Sequence, residues 1–365
     1  MSHDDFLYGI ITYNSINIGD EIQSLAAMRF LPRIDEYVYR EQITNFVPEK
    51  EKKTKLIMNA WWMWCPSNFP PSEYVDPLLL SMHFYPNSRE RLLSEKTIQY
   101  FKKHGPVGCR DVGSCEWLQA NGVDAYFSGC LTTTLQRNYD VPRGDYILCV
   151  DVRPDVVKEI RRRTKRPVYE ISRDISPFYN SKQRFEFARC ILGLYHNAHC
   201  CISPRLHVIT PCLAMEVPVL RLIDDSITSS GVDKRYAGFE SFYNTLHVND
   251  FLSNSSAYDL ETPPPNPENH LPMRNALIEK CKKFTGYDSQ KSPIPSGFNI
   301  AVEMAKLNRH SYDNIKRILY FAKVEDLEEV LRQKKDLRVT HQNLIGNNQL
   351  IGVKINPNSQ KQEKK

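Results

Sequence analysis

The stretch Cys201–Ala214, CISPRLHVITPCLA, runs from apolar residues into a turn bearing Arg205 and His207 and back into apolar residues. A strand that ends in a charged turn and feeds a helix is how an α/β fold presents charge to a ligand. Pro204 keeps Ser203 out of the helical region. In an extended or turn-like backbone, residues two apart leave from one side, so Arg205 and His207 are expected to share one pocket. Spacing alone also allows a surface arginine beside a half-buried histidine that caps a strand.

Outward from this stretch, short β-rich runs alternate with longer amphipathic segments, the pattern of parallel sheets covered by helices on both faces. Phe6–Thr12 reads as a first strand, followed by a helix over Asp20–Phe30 that Asp20 is expected to cap. Lys55–Trp61 and Leu78–Phe84 read as strands, Arg89–Lys103 as a helix and Val107–Arg110 as a short strand. Ser114–Asn121 reads as a helix stopped by Gly122, before Ala125–Ser128. Proline, glycine and charge at Asn138–Asp145, NYDVPRGD, mark a linker. The pattern then restarts with strands at Tyr146–Val152, Pro167–Ile171, His199–Ser203 and Val217–Ile223, and with helices at Lys182–His196 and after His207.

At 365 residues the chain fits about two domains of common size. The expected fold is α/β, with two Rossmann-like domains facing a cleft over residues 1–140 and 145–260, the second carrying Arg205 and His207. Beyond a stiff connector at Pro263–Pro267, helices near Met273–Phe284, Asp313–Phe321 and Val324–Lys335 are expected to pack on the domains, within 270–340. Residues 356–365 read as a disordered tail.

The net charge of +5, from 48 basic and 43 acidic residues, is too mild to indicate a nucleic-acid partner. Ten scattered cysteines without a C-x-x-C pair read as reduced thiols, mostly in cores. The acidic N-terminus lacks the pattern of a signal peptide, and no apolar run is long enough to span a bilayer, so a cytoplasmic location is expected. Asn254–Ser256 is a glycosylation sequon that chance readily supplies. The basic run Arg161–Arg166 reads as a solvated helix end or, alternatively, as a patch for anionic lipid at the inner membrane face.

Ligands of open α/β sheets sit beyond the carboxyl ends of strands. Arg110 closes one such strand, so it is expected to meet a ligand from the first domain while Arg205 and His207 meet it from the second. The plainer alternative is an Arg110–Asp111 ion pair. The first strand-to-helix turn, Asn14–Glu21, holds a single glycine and does not match the three-glycine dinucleotide fingerprint, which disfavours a nicotinamide cofactor. The helix start still suits an anion, although Asp20 and Glu21 stand there as capping acids. His83 is a second acid or base candidate, or a partly buried strand histidine. Histidine and cysteine spacing supports no metal site.

Four of these segments, in order, resemble the motifs of the polysaccharide pyruvyl transferase family. They are Asn17–Glu21 (NIGDE), Val107–Asp111 (VGCRD) with Ser114 and Leu118, Ser203–His207 (SPRLH) and Lys234–Phe239 (KRYAGF). Together they cover about residues 6–250, and Phe127–Leu135 (FSGCLTTTL) is similar to a subgroup of that family. The resemblance implies a glycosyltransferase-B-like pair of domains that transfers a group from phosphoenolpyruvate to a sugar, often forming a pyruvate ketal. It implies that Arg205 and His207 line the donor site and that Arg110 matches the arginine of the family's R-D motif; Asn17 and Gly19 of the first turn are further candidates for substrate binding. The sequence departs from the family where Asn59–Trp64, NAWWMW, replaces a glycine-rich turn.

The residue types suit that chemistry. Phosphoenolpyruvate carries a carboxylate and a phosphate, both matched by guanidinium forks, and Arg110, Arg205 and Arg235 are the expected ones. Transfer requires protonation of the enol methylene as a sugar hydroxyl attacks, for which His207 is the expected general acid or phosphate stabiliser. His83, or Asp20 or Glu21, is the candidate base. Trp61, Trp62 and Trp64 either fill an interdomain core or stack on an acceptor sugar. The expected partners are phosphoenolpyruvate and a sugar or lipid-linked oligosaccharide, with no cofactor. Two alternatives stand beside this: a nucleotide-sugar glycosyltransferase with Arg205 on the diphosphate, and a non-catalytic subunit of glycan assembly, against which the pairing of Arg205 with His207 argues.

Overall fold

A computed structural model of the chain describes residues 5–176, 179–224, 234–254 and 256–308. The first series of elements is β1 (Leu7–Thr12), α1 (Gly19–Met28), β2 (Glu36–Tyr39), β3 (Thr54–Ile57), β4 (Trp61–Trp62), β5 (Val75–Leu78) and β6 (His83–Phe84). It continues with α2 (Arg89–Leu92), α3 (Glu95–His104), β7 (Val107–Cys109), α4 (Val112–Ala120) and β8 (Ala125–Phe127). Strands pair in the order β2-β1-β3-β5, all parallel. Two short parallel ladders, β4–β6 and β7–β8, are joined by a bridge between Met82 and Cys109.

The second series is β9 (Ile147–Val150), α5 (Pro154–Arg163), β10 (Val168–Ile171), α6 (Ser181–Asn197), β11 (Cys200–Ser203), α7 (Leu206–Ala214), β12 (Val219–Ile223), β13 (Asn244–His247), α8 (Val248–Ser253) and α9 (Leu271–Thr285). Its sheet is parallel throughout in the order β10-β9-β11-β12-β13. The strand order reverses between β1 and β3 in the first sheet and between β9 and β11 in the second, the places where such sheets open a crevice. Strands β1, β9 and β11 are buried at every residue. A strand covered on both faces has to be apolar throughout, which is why LYGIIT, ILCV and CCIS show no alternation.

The expected α/β class is therefore observed, and the sheets change over across the segment read as a linker. The described residues up to Phe298 form one compact unit that contains both sheets, and Asn299–Asn308 fall outside it. Each sheet has its own apolar cluster, one around Leu56, Trp62, Met82 and Phe84, the other around Ile147, Ile160, Ile202 and Phe251. The helix α9, ended by Gly286 in the left-handed conformation, returns to the first sheet, where Lys55 Nζ donates to the Phe284 carbonyl at 2.7 Å. The segments 313–321, 324–335 and 356–365 lie outside the described residues.

Several expected boundaries move for local reasons. Asp20 does not cap α1: the N-cap is Ile18, without a side-chain cap bond, and Asp20 sits inside the first turn. The run Leu78–Phe84 breaks into β5 and β6, with Ser81 at φ 54° between them, so His83 begins a strand instead of ending one. Lys55–Trp61 likewise divides into β3 and β4. Arg89–Lys103 divides at Ser94, whose side chain accepts from the Thr97 N–H and restarts the helix as α3. All ten cysteines are free thiols, and Cys65 alone is exposed.

Candidate functional site

The loop between β1 and α1 is stitched to the segment after β10. Ile18 donates its N–H to the Arg173 carbonyl at 3.1 Å, and Ile175 donates to the Ile16 carbonyl at 2.8 Å. The Asn17 side-chain oxygen accepts from the Gly19 N–H at 3.0 Å and from Arg173 Nη1 at 2.8 Å. Gly19 is required by close approach: a Cβ there would lie 2.5 Å from His207 Nδ1. The first turn of α1 thus packs directly against the start of α7, and the carboxyl edges of the two sheets meet.

From the second sheet, three charged side chains gather at those edges. Asp151 follows β9 with φ 53°, a left-handed conformation that aspartate tolerates better than most residues. Its Oδ2 accepts from Arg205 Nε at 3.0 Å and from Arg173 Nε at 2.8 Å. Ser203 fixes the turn by donating to the Val150 carbonyl at 2.9 Å while accepting the Arg205 N–H at 3.1 Å. The Arg205 side chain keeps 39% of its exposure, so one carboxylate holds two arginines at an open edge.

Arg205 and His207 do not share partners as an extended backbone would have made them. The helix begins at Leu206, with Arg205 as N-cap in the β region, so the two side chains part. Arg205 turns to Asp151, whereas His207 turns to the first sheet, where its Nε2 lies 3.5 Å from Arg110 Nη1. That contact closes the distance between the two motifs across 97 residues of sequence.

Arg110 leaves the end of β7 and is only 3% exposed. Its Nη1 donates to Gln23 Oε1 at 3.3 Å, its Nε makes no hydrogen bond, and no ion pair to a carboxylate is seen for it among the described residues. The expected alternative, a pair with Asp111, is not formed. Asp111 instead caps α4 by accepting the Ser114 N–H and holds His83 Nδ1 at 2.5 Å. Burial would raise the Asp111 carboxyl, but the hydrogen bond from His83, with the Arg110 charge behind, carries it below its ordinary value.

Both histidines are held neutral. Burial and then the Arg110 charge push His83 down to about 4, against the opposing pull of Asp111. His207 is driven well below its ordinary value by burial and then by Arg110, Arg173, His83 and Arg235. Arg235 is exposed on the short helical turn Lys234–Tyr236, and the neighbouring Tyr236 hydroxyl donates to the Pro204 carbonyl. His83 is buried at 1% with no hydrogen bond to its Nε2.

The other acids of the first turn belong to a separate, neutralised cluster. Asp20 accepts from Ser15 Oγ at 2.7 Å and lies 3.5 Å from Arg40 Nη1, which also pairs with Glu41 through Nε at 2.6 Å. Glu21 meets Arg184 Nε at 2.5 Å, and Arg184 also reaches the Ser15 carbonyl. Burial raises the Glu21 carboxyl to about 7, against the pull of Arg184. Asp20 still touches the site indirectly. Its Oδ1 accepts from Gln23 Nε2 at 3.4 Å, which turns the Gln23 oxygen toward Arg110.

The structure thus brings Gly19, Asn17, Arg110, His83, His207 and Arg205 to one place and leaves Asp20 behind it. Sequence reasoning missed Asp151, Arg173 and Gln23. Asp151 and Arg173 follow strands, so the strand-end rule that singled out Arg110 would have found them. Gln23 carries no signal apart from lying one helical turn beyond Gly19.

The fold and this cluster define an α/β protein with an anion-suited site between two parallel sheets. The sequence model for polysaccharide pyruvyl transferase matches residues 17–226, more than half of the chain, and the protein belongs to that family. The matched span takes in both sheet edges, from Asn17 to beyond His207. No curated protein sequence matches the chain. No helix among the described residues is long and apolar enough to cross a membrane.

Proposed function

We propose that the protein transfers the enolpyruvyl-derived group of phosphoenolpyruvate to hydroxyls of a sugar in a surface polysaccharide or its lipid-linked precursor. The observation that carries this reading is Arg110, a buried guanidinium for which no carboxylate partner is seen among the described residues, flanked by two histidines that burial and then its charge keep neutral. A buried charge is stable only when compensated. A small polyanion supplies that compensation and matches guanidinium forks at both its phosphate and its carboxylate. Arg205 and Arg173 would bind the same donor from the open edge, exchanging Asp151 for it, with Arg235 nearby.

In this reading His83 is the base. Asp111 accepts its Nδ1–H, which leaves Nε2 to take the proton of the attacking hydroxyl. The hydroxyl oxygen bonds to the central carbon of the donor while the methylene carbon takes a proton. A second hydroxyl then displaces phosphate and closes the ketal. His207 acts as acid or phosphate stabiliser, the donor's negative charge opposing the arginines that add to burial in depressing it. Asp20 positions Gln23 and so Arg110, in place of the base role.

Phosphate release from phosphoenolpyruvate with saccharide acceptors, followed by product mass, tests the proposal. An acceptor gaining a ketal with one phosphate released per transfer is the expected result. Transfer from a nucleotide sugar without consumption of phosphoenolpyruvate would replace it with glycosyl transfer.

A further inference from the structure

Trp61, Trp64 and Tyr85 form an aromatic platform that the site residues do not use. The centroids of Trp61 and Trp64 lie 4.6 Å apart, those of Trp61 and Tyr85 5.2 Å, and those of Trp64 and Tyr85 5.8 Å. Trp62, between the two tryptophans, is fully buried in the core, whereas Trp64 is 48% exposed and Trp61 and Tyr85 are half-buried. One of the three expected tryptophans therefore fills the core, and the other two build a surface. Arg40 backs that surface, its guanidinium 5.0 Å from the Trp61 ring, and is itself neutralised by Asp20 and Glu41.

The position of the platform follows from strand register. In the parallel ladder β4–β6, Trp61 is paired with His83 and Trp62 with Phe84. Paired residues share a face and alternate ones return to it, so Trp61, His83 and Tyr85 stand on one side while Trp62 and Phe84 point into the core. The platform is the outward continuation of the face that carries the His83–Asp111 pair. A contiguous, partly exposed aromatic surface rimmed by polar residues is the kind of patch that marks a ligand site.

We infer that this platform binds a pyranose ring of the saccharide acceptor, holding it beside His83. The inference rests on the proposed function for its choice of substrate. The ring geometry favours a sugar over a flat base. The three interplanar angles are 54°, 41° and 61°, so the rings stand tilted to one another and do not make a parallel slot. A nucleobase stacks best in a parallel slot, whereas the axial C–H bonds of a pyranose press against tilted faces. The rim supplies hydroxyl partners in Tyr85 and Asn87, joined by a 3.2 Å hydrogen bond.

The test is saturation-transfer NMR with methyl glycosides of galactose, mannose and N-acetylglucosamine as probes, on wild type, Trp64→Ala and Trp64→Phe. Trp64 is exposed enough that its truncation leaves the fold intact. Wild type should transfer saturation to ring C–H protons of at least one probe, Trp64→Ala should bind that probe roughly tenfold more weakly, and Trp64→Phe should restore most of the binding. No transfer to any probe, or equal binding by Trp64→Ala, overturns the inference. Phosphoenolpyruvate titrated into the same samples separates the two readings. Loss of the sugar alone with intact donor binding concerns the platform, and failure of wild type to bind the donor while it binds a glycoside removes the proposed function and leaves the platform standing.

Discussion

Two clusters of buried arginine lie on either side of the first turn of α1, and they are treated in opposite ways. Arg40 and Arg184, each 1% exposed, are matched by Asp20, Glu41 and Glu21. Arg110, at nearly the same depth, is matched by an amide and an imidazole. Burying an ion costs several kcal/mol after relaxation, so uncompensated burial at one cluster and full compensation at its neighbour is a division of labour. One cluster holds the β1–α1 loop against the second sheet. The other keeps a positive site at the cost of stability, the usual trade at a functional centre.

Breaking the structural cluster should have the largest effect. Arg184→Ala leaves Glu21 buried and unpaired, and is expected to lower the unfolding free energy by about 3–5 kcal/mol in urea titrations. Its folded fraction should still bind phosphoenolpyruvate. Arg110→Met should do the reverse, lowering turnover in the phosphate-release assay by about 10²–10³-fold while the melting temperature stays at or above wild type. If both variants lose stability alike, the distinction between the clusters is false.

Acid should sharpen the comparison. A histidine with a depressed pKa contributes stability that is complete above its unfolded value near 6.5 and is lost as pH falls toward the folded value. For His83 that window runs from about 6.5 down to about 4. The contribution is on the order of 3 kcal/mol. The melting temperature of wild type should fall across that window more steeply than that of His83→Gln, and parallel curves would contradict the burial of a neutral imidazole.

The open edge should yield the smallest effects. Arg205→Ala removes a half-exposed arginine that shares its carboxylate with Arg173, so donor affinity should weaken by about tenfold. Asp151→Asn releases both arginines and should tighten donor binding by about threefold, read by calorimetry. A weakened donor in Asp151→Asn would show that the carboxylate orients the arginines and does not compete for them.

Much of this was legible in the chain. The buried strands β1, β9 and β11 read as apolar runs bounded by turn signals, and the strand-end rule brought Arg110, Arg205 and His207 forward. The spacing of Arg205 and His207 misled about their direction, because the helix already begins at Leu206 and not after His207. Asp20 had the composition of a cap and was claimed instead by Arg40, a residue 20 positions away, which is a tertiary choice that local sequence does not encode. His83 stood out only by position, and its partner Asp111 looked like a partner for Arg110 because neighbours in sequence were weighed before neighbours in space. Asp151 and Arg173 were missed because their strands carried no motif.

The central claim is that Arg110 is the buried cation around which a polyanionic donor is bound. Calorimetric titration of phosphoenolpyruvate into wild type and Arg110→Met at neutral pH tests it most directly. The account predicts binding by wild type and no measurable binding by a folded Arg110→Met. Equal affinity in the two proteins would contradict it.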